Sequence, residues 1–144
     1  MSNVVQDDDD TLNLAEAVLE KLQQDIHETS EKKGWWTEYT NLKELLDEHG
    51  ETFSLNSAIA DDLYKFARTM LIVSELSEGI EALRCGNAPD DKLPEFEGLS
   101  VELADAIIRI LDLAAQFDIP VIPAVIKKMQ YNKTRRYKHG GKSI

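Results

Sequence analysis

The sequence predicts an all-α protein, a helical bundle of four main helices plus one short helix. Three observations carry this reading. Apolar residues recur at helical spacing, most plainly at Ala15, Val18, Leu19, Leu22 and Ile26. Residues that stop or cap helices punctuate the chain at Gly34, Gly50, Gly86 and Pro120. Two segments, 74–84 and 101–109, each set a pair of acids three residues apart within an apolar helical pattern.

Taken in order, residues 1–10 end in the run Asp7, Asp8, Asp9, Asp10, which repels itself and has little apolar surface to bury. It is expected to be a disordered acidic tail. Residues 11–144 are expected to form one domain, large enough for a hydrophobic core. The first helix runs from Thr11 to about Glu31 and ends before Gly34. Trp35 and Trp36 follow; adjacent tryptophans cannot both enter one core from a regular helix, so one of them is expected at a pocket mouth or an interface.

Leu42, Leu45 and Leu46 indicate the short helix, about 38–49, closed by Gly50. Ser54 or Asn56 then caps a long helix that stops at Gly86, about 43 Å from end to end. The loop 86–98 is too polar and proline-rich for helix. Ser100 is the expected N-cap of the next helix, which would put Glu102 in its first turn, where the dipole favours an ionised carboxylate. That helix ends before Pro120, and Pro123 suits the first turn of the last one.

The acids carry the chemistry. Positions three apart share a helix face, so Glu75 with Glu78, and Glu102 with Asp105, each aim two carboxylates one way. The first pair is expected to border a core stripe of Ile72, Leu76, Ile80 and Leu83. Carboxylates at a helix seam repel unless protons, basic groups or metal ions compensate, and oxygen-only clusters suit Mg²⁺, with Mn²⁺ or Ca²⁺ as substitutes.

Charge is divided along the chain. The formal net charge is −11, which speaks against general nucleic-acid binding. All 27 acids lie in residues 1–118 against nine Lys/Arg, a net of −18, whereas residues 119–144 hold seven Lys/Arg and no acid. The basic segment 127–144 is expected either to dock on the acidic body or to grip a polyanion such as triphosphate, where arginine offers a bidentate fork. A lone cysteine, Cys85, excludes an internal disulfide and a cysteine-rich zinc site and fits a reducing cytoplasm. No apolar run approaches the length of a membrane span. There is no glycine-rich phosphate loop, no histidine local to a nucleophile, and no Glu-x-x-His pair for di-iron chemistry.

The order Glu75-x-x-Glu78, Glu102-x-x-Asp105, then Lys128, Asn132, Arg135, Lys138, His139, Gly140, Gly141 and Lys142, resembles the all-α nucleoside triphosphate pyrophosphohydrolases of the MazG-like superfamily. His27 and the stretch Lys33, Gly34, Trp35, Trp36 look like the first-helix region of its small phage and bacterial members. The resemblance implies Mg²⁺-dependent hydrolysis of nucleoside or deoxynucleoside triphosphates at the α-phosphorus, giving monophosphate and pyrophosphate. It implies metal held by Glu75, Glu78, Glu102 and Asp105, with Glu78 as general base by analogy. Lys128, Asn132, Arg135, Lys138 and Lys142 would bind phosphates, and His27, Trp35 and Trp36 are base-binding candidates. It also implies a homodimer or a dimer of dimers, in keeping with the apolar stretch 104–115, which is expected to bury surface on another subunit. The insertion 38–56 departs from the small members. A rival reading is a non-catalytic acidic helical module that binds a partner protein, its basic tail docked intramolecularly.

Overall fold

The computed structural model describes residues 3–53 and 56–135, with side chains for 11–49 and 56–135. The described residues are all-helical. They comprise α1 (Asn3–Lys32), α2 (Thr37–Phe53), α3 (Ser57–Arg84), α4 (Gly98–Gln116) and α5 (Val121–Lys133).

Several boundaries differ from the sequence reading for identifiable reasons. α1 begins at Asn3, so the aspartate run 7–10 expected as a disordered tail has helical backbone. Once the amphipathic segment beyond it has formed, each residue added to a helix costs little. The expected short helix is 17 residues long and passes through Gly50. A helical glycine costs only about 1 kcal/mol, and α2 is anchored by buried Tyr39 and Leu46. α3 starts as expected, with Asn56 Oδ1 accepting from Ile59 N at 2.9 Å, and ends at Cys85 before Gly86, whose φ is +91°. α4 starts at Gly98, so Ser100 is not its cap. Asn87 does that work from the loop: its Oδ1 accepts from Leu99 N at 2.9 Å, and its Nδ2 donates to Glu97 Oε2 at 2.6 Å.

α4 is the central element. It packs chiefly on α3 and then on α1, while α2 leans on α3 and α5 on α1. Gly79 faces Leu99 and Glu102, Glu75 faces Arg109, and Arg68 shares a cleft with Asp112, so α3 and α4 run antiparallel. One apolar cluster gathers Trp36, Tyr39 and Leu113 with Tyr64, Ile72 and Phe117, ring edges meeting ring faces; a second joins Leu111, Ile122 and Ile126 to Leu12 and Ile26. Within the stretch 104–115, Ala106, Leu111, Leu113 and Ala114 are buried inside the protomer, so that part of the expected subunit surface is internal core.

The orientation of α3 is the main surprise. Its buried residues are Ala60, Glu75 and Gly79. Leu76, Ile80 and Leu83, expected in the core beside the acids, are exposed. Close approach explains this: a Cβ on Gly79 would lie 3.1 Å from Leu99 Cδ1 and 3.4 Å from Glu102 Cβ. α4 therefore seats on the face of α3 that has no side chain at position 79, and that face carries the acids.

Candidate metal centre

Two elements supply the acids. Glu75 and Glu78 project from α3 and Glu102 from α4, and one carboxylate oxygen of each lies within 4.8 Å of the others. Glu75 is buried, Glu102 half-buried and Glu78 exposed. Together with Asp105, Arg109, Val101 and the loop residues Asp90, Lys92 and Leu93, they line a cavity of about 510 Å³. Asp105 faces this cavity but lies outside the three-carboxylate group. Asp90 has a structural task as well, its Oδ1 accepting from Lys92 N and Leu93 N at 2.9 and 2.8 Å.

Since α4 starts at Gly98, Glu102 falls in the second turn, not the first as expected, and the helix terminus does not hold its charge. Its pKa is instead raised above the usual 4.5, by burial first, then by a hydrogen bond with Glu75 and the charges of Glu78, Glu75 and Asp105. Crowded acids answer their own repulsion by taking up a proton, and a cation at the same place would do so in its stead.

Arg109 is the residue the sequence reading left out of the site. Its Nε lies 2.5 Å from Glu75 Oε1 as an ion pair, yet the N–H is not aimed for a hydrogen bond, so this buried nitrogen has none. Arg109 also lines a narrow cleft with Trp35, Trp36, Arg68 and Asp112. Its spacing, seven after Glu102 and four after Asp105, was available in the sequence as a shared helix face.

The aromatic candidates separate. Trp36 is 3% exposed, and its indole N–H donates to both oxygens of buried Asp112, at 3.0 and 3.1 Å. His27 Nδ1 lies 2.7 Å from the same carboxylate, and its Nε2 is 3.8 Å from Glu31. Both side chains thus serve a buried polar node joining α1, the turn before α2, and α4; His27 also borders a cleft between α1 and the α4–α5 junction. Trp35 is exposed and walls a second cavity, of about 400 Å³, with Ile26, Ser30, Lys33, Asp105 and Ile108. Asp105 is common to this cavity and to the acidic one.

The basic residues are elsewhere. Lys128 and Arg135 gather over the ring of Tyr131, at 5.1 and 5.9 Å, and Asn132 is exposed on α5. None of these three lines the acidic cavity. α5 follows the C-terminal end of α4 and packs on α1, whereas Glu102 and Asp105 lie toward the N-terminal end of α4. Lys138 and Lys142 lie outside the described residues. No family model, curated protein or solved structure matches the chain.

Proposed function

We propose that this protein is a divalent-metal-dependent nucleoside triphosphate pyrophosphohydrolase, cleaving at the α-phosphorus to give a monophosphate and pyrophosphate. The observation that carries the reading is the convergence of Glu75, Glu78 and Glu102 in a cavity that shares Asp105 with the cavity walled by Trp35. One cavity suits a cation and phosphates, the adjoining one a nucleoside.

The donor set fits a hard cation. Three carboxylate oxygens within 4.8 Å of one another are near enough for one cation to be shared among them, and an all-oxygen set suits Mg²⁺, Mn²⁺ or Ca²⁺. A bound Mg²⁺ or Mn²⁺ would screen the phosphate charges and lower the pKa of water. Glu75 and Glu102 are the inner holders. Glu78, the exposed member, is the group to accept the water's proton, as the resemblance suggests. Arg109 lines the cavity beside Glu75, and its guanidinium is the positive group that phosphate oxygens entering there would meet. Trp35 offers a ring face to the base.

Of the basic phosphate-binding set, Lys128, Asn132 and Arg135, which do not line this protomer's acidic cavity, would serve the cavity of a second copy, and Lys138 and Lys142 belong to the segment after Arg135. Assembly as a dimer or dimer of dimers belongs to the same proposal, as does residence in a reducing cytoplasm, in keeping with an exposed, unpaired Cys85. Among the described residues, no helix is long and apolar enough to cross a membrane.

Product analysis tests the reaction. The protein and Glu78→Gln are incubated with Mg²⁺ and a panel of ribo- and deoxyribonucleoside triphosphates. Monophosphate with pyrophosphate, lost in the variant while helicity is retained, is the expected result. Absence of turnover on every nucleotide would refute the reading and favour the partner-binding module.

A further inference from the structure

We propose that Arg109 is the resident counter-ion of the acidic site, and that its guanidinium must leave Glu75 before a divalent cation can be held there. The inference rests on the reading of Glu75, Glu78 and Glu102 as the metal holders, and adds how their occupancy is regulated. Glu75 is 6% exposed and is the most buried of the three. A carboxylate taken out of water needs a cation beside it. Arg109 supplies one across the α3–α4 seam, its Nε 2.5 Å from Glu75 Oε1. Among the described residues, neither Glu78 nor Glu102 has an ion-pair partner.

The pair has the features of an exchangeable contact. It is held by charge without a directed bond, since Arg109 Nε makes no hydrogen bond. Its two ends differ in access: the Glu75 side chain is 8% exposed and that of Arg109 32%. Arg109 also lines the acidic cavity of about 510 Å³, so the guanidinium has open space to swing into while the carboxylate stays in place. Two positive groups on one buried carboxylate repel each other strongly, so Arg109 holds Glu75 in the metal-free protein and gives it up when the acids hold a cation. The exchange disfavours a cation arriving alone. A cation arriving on a polyphosphate brings an anion that the freed guanidinium can meet, so Arg109 couples the two binding events. Lys92 lines the same cavity but pairs with none of its acids, which makes it the control for charge alone.

The test uses the full chain without nucleotide. In calorimetric titration, Arg109→Met should bind Mn²⁺ at least about tenfold more tightly than the parent, and Lys92→Gln should change the affinity less than about threefold. In EDTA, Arg109→Met should melt roughly 3–8 °C below the parent because Glu75 has lost its partner, and saturating Mn²⁺ should close that gap. The Nε–H resonance of Arg109, assigned by its absence from Arg109→Lys, should move on saturation with Mg²⁺ toward its position in metal-free Glu75→Gln. Should Arg109→Met fail to fold, this resonance decides alone. A metal affinity unchanged or weakened in Arg109→Met, an equal gain in Lys92→Gln, or an Arg109 resonance unmoved by bound Mg²⁺ would each overturn the proposal. If neither the parent nor Arg109→Met binds metal, the metal centre itself falls and the exchange with it; if both bind equally well, the exchange falls alone.

Discussion

Replacing Glu102 by Gln removes one charge from a crowded group without changing its shape, and the acidic site then makes opposite demands with and without metal. Three carboxylate oxygens lie within 4.8 Å of one another. At an effective dielectric near 20, each ionised pair repels by at least about 3.5 kcal/mol. Arg109 beside Glu75 and the solvent around Glu78 offset most of this, and relief of about 1–2 kcal/mol is expected. For a domain of this size that raises Tm by roughly 3–8 °C at neutral pH in chelator. Magnesium at a hundred times its Kd should stabilise the parent by about 2.7 kcal/mol, roughly 7–12 °C, and leave Glu102→Gln nearly unmoved. Proton and metal compete, so pH supplies a second readout. The Glu102 carboxyl has a folded pKa above its ordinary 4.5; the stability it contributes is full below 4.5 and lost as pH rises through the folded value. Metal-free parent should lose stability across that window, the variant should not, and metal should restore the parent increasingly as pH rises. Scanning calorimetry across pH with EDTA or Mg²⁺ measures all of this. A parent unmoved by metal, together with a variant less stable than the parent in chelator, would refute the reasoning and leave the acids as surface chemistry.

Two further outcomes test the packing that holds the site. Trp36→Phe keeps the ring and removes the N–H that Asp112 accepts in a 5%-exposed environment; denaturant unfolding should show a loss of about 2–3 kcal/mol, and a change within 0.5 kcal/mol would show that His27 alone satisfies the carboxylate. Tyr39→Phe removes the hydroxyl that donates to Asp61 Oδ1 at 2.7 Å, at an expected cost of about 1.5–3 kcal/mol near pH 7. Burial, then Asp61, pushes the Tyr39 pKa up to about 12, so its stability is full below 10 and lost as pH rises toward 12, a limb the variant should lack. Asp61 is held below its ordinary 3.8 by Tyr39 and then Lys43. Its stabilisation is present above 3.8 and lost as pH falls through the folded value; the variant, whose Asp61 is held down less, has less to lose across that acid limb.

Much of this was legible along the chain, because caps and periodicity are local. Asn56 and Gly86 could be read as the ends of α3, and the i, i+3 acids as one face of a helix. Where the reading failed, the deciding group was distant in sequence. Ser100 looked like a cap, but Asn87, across a loop, satisfies the start of α4. Asp112 sits unremarked in an apolar run until Trp36 and His27, 76 and 85 residues away, are brought to it. Gly50 resembled a stop, but the burial of Tyr39 and Leu46 carries α2 past it.

The orientation of α3 was beyond local reading for a different reason. A wheel identifies an apolar stripe, and the ordinary inference turns that stripe toward the chain's own core. Here Gly79 lets α4 approach the opposite, acid-bearing face, and Glu75 is buried there beside Arg109. Such an arrangement disfavours an isolated, ligand-free protomer twice over, since it gathers carboxylates inside and leaves Ile59, Phe66 and Ile80 in water. Turning α3 by half a revolution would cure both faults and destroy the cavity. The sequence does not take that course; Gly79 would then face outward, and the side chains of Ser77 and Glu81, on the opposite side of α3 at the same level, would have to fit where Gly79 now admits Leu99. The inner charges of that inverted face are answered if a cation binds among Glu75, Glu78 and Glu102. Glu102→Gln should silence the metal response while leaving the exposed apolar stripe of α3 unchanged.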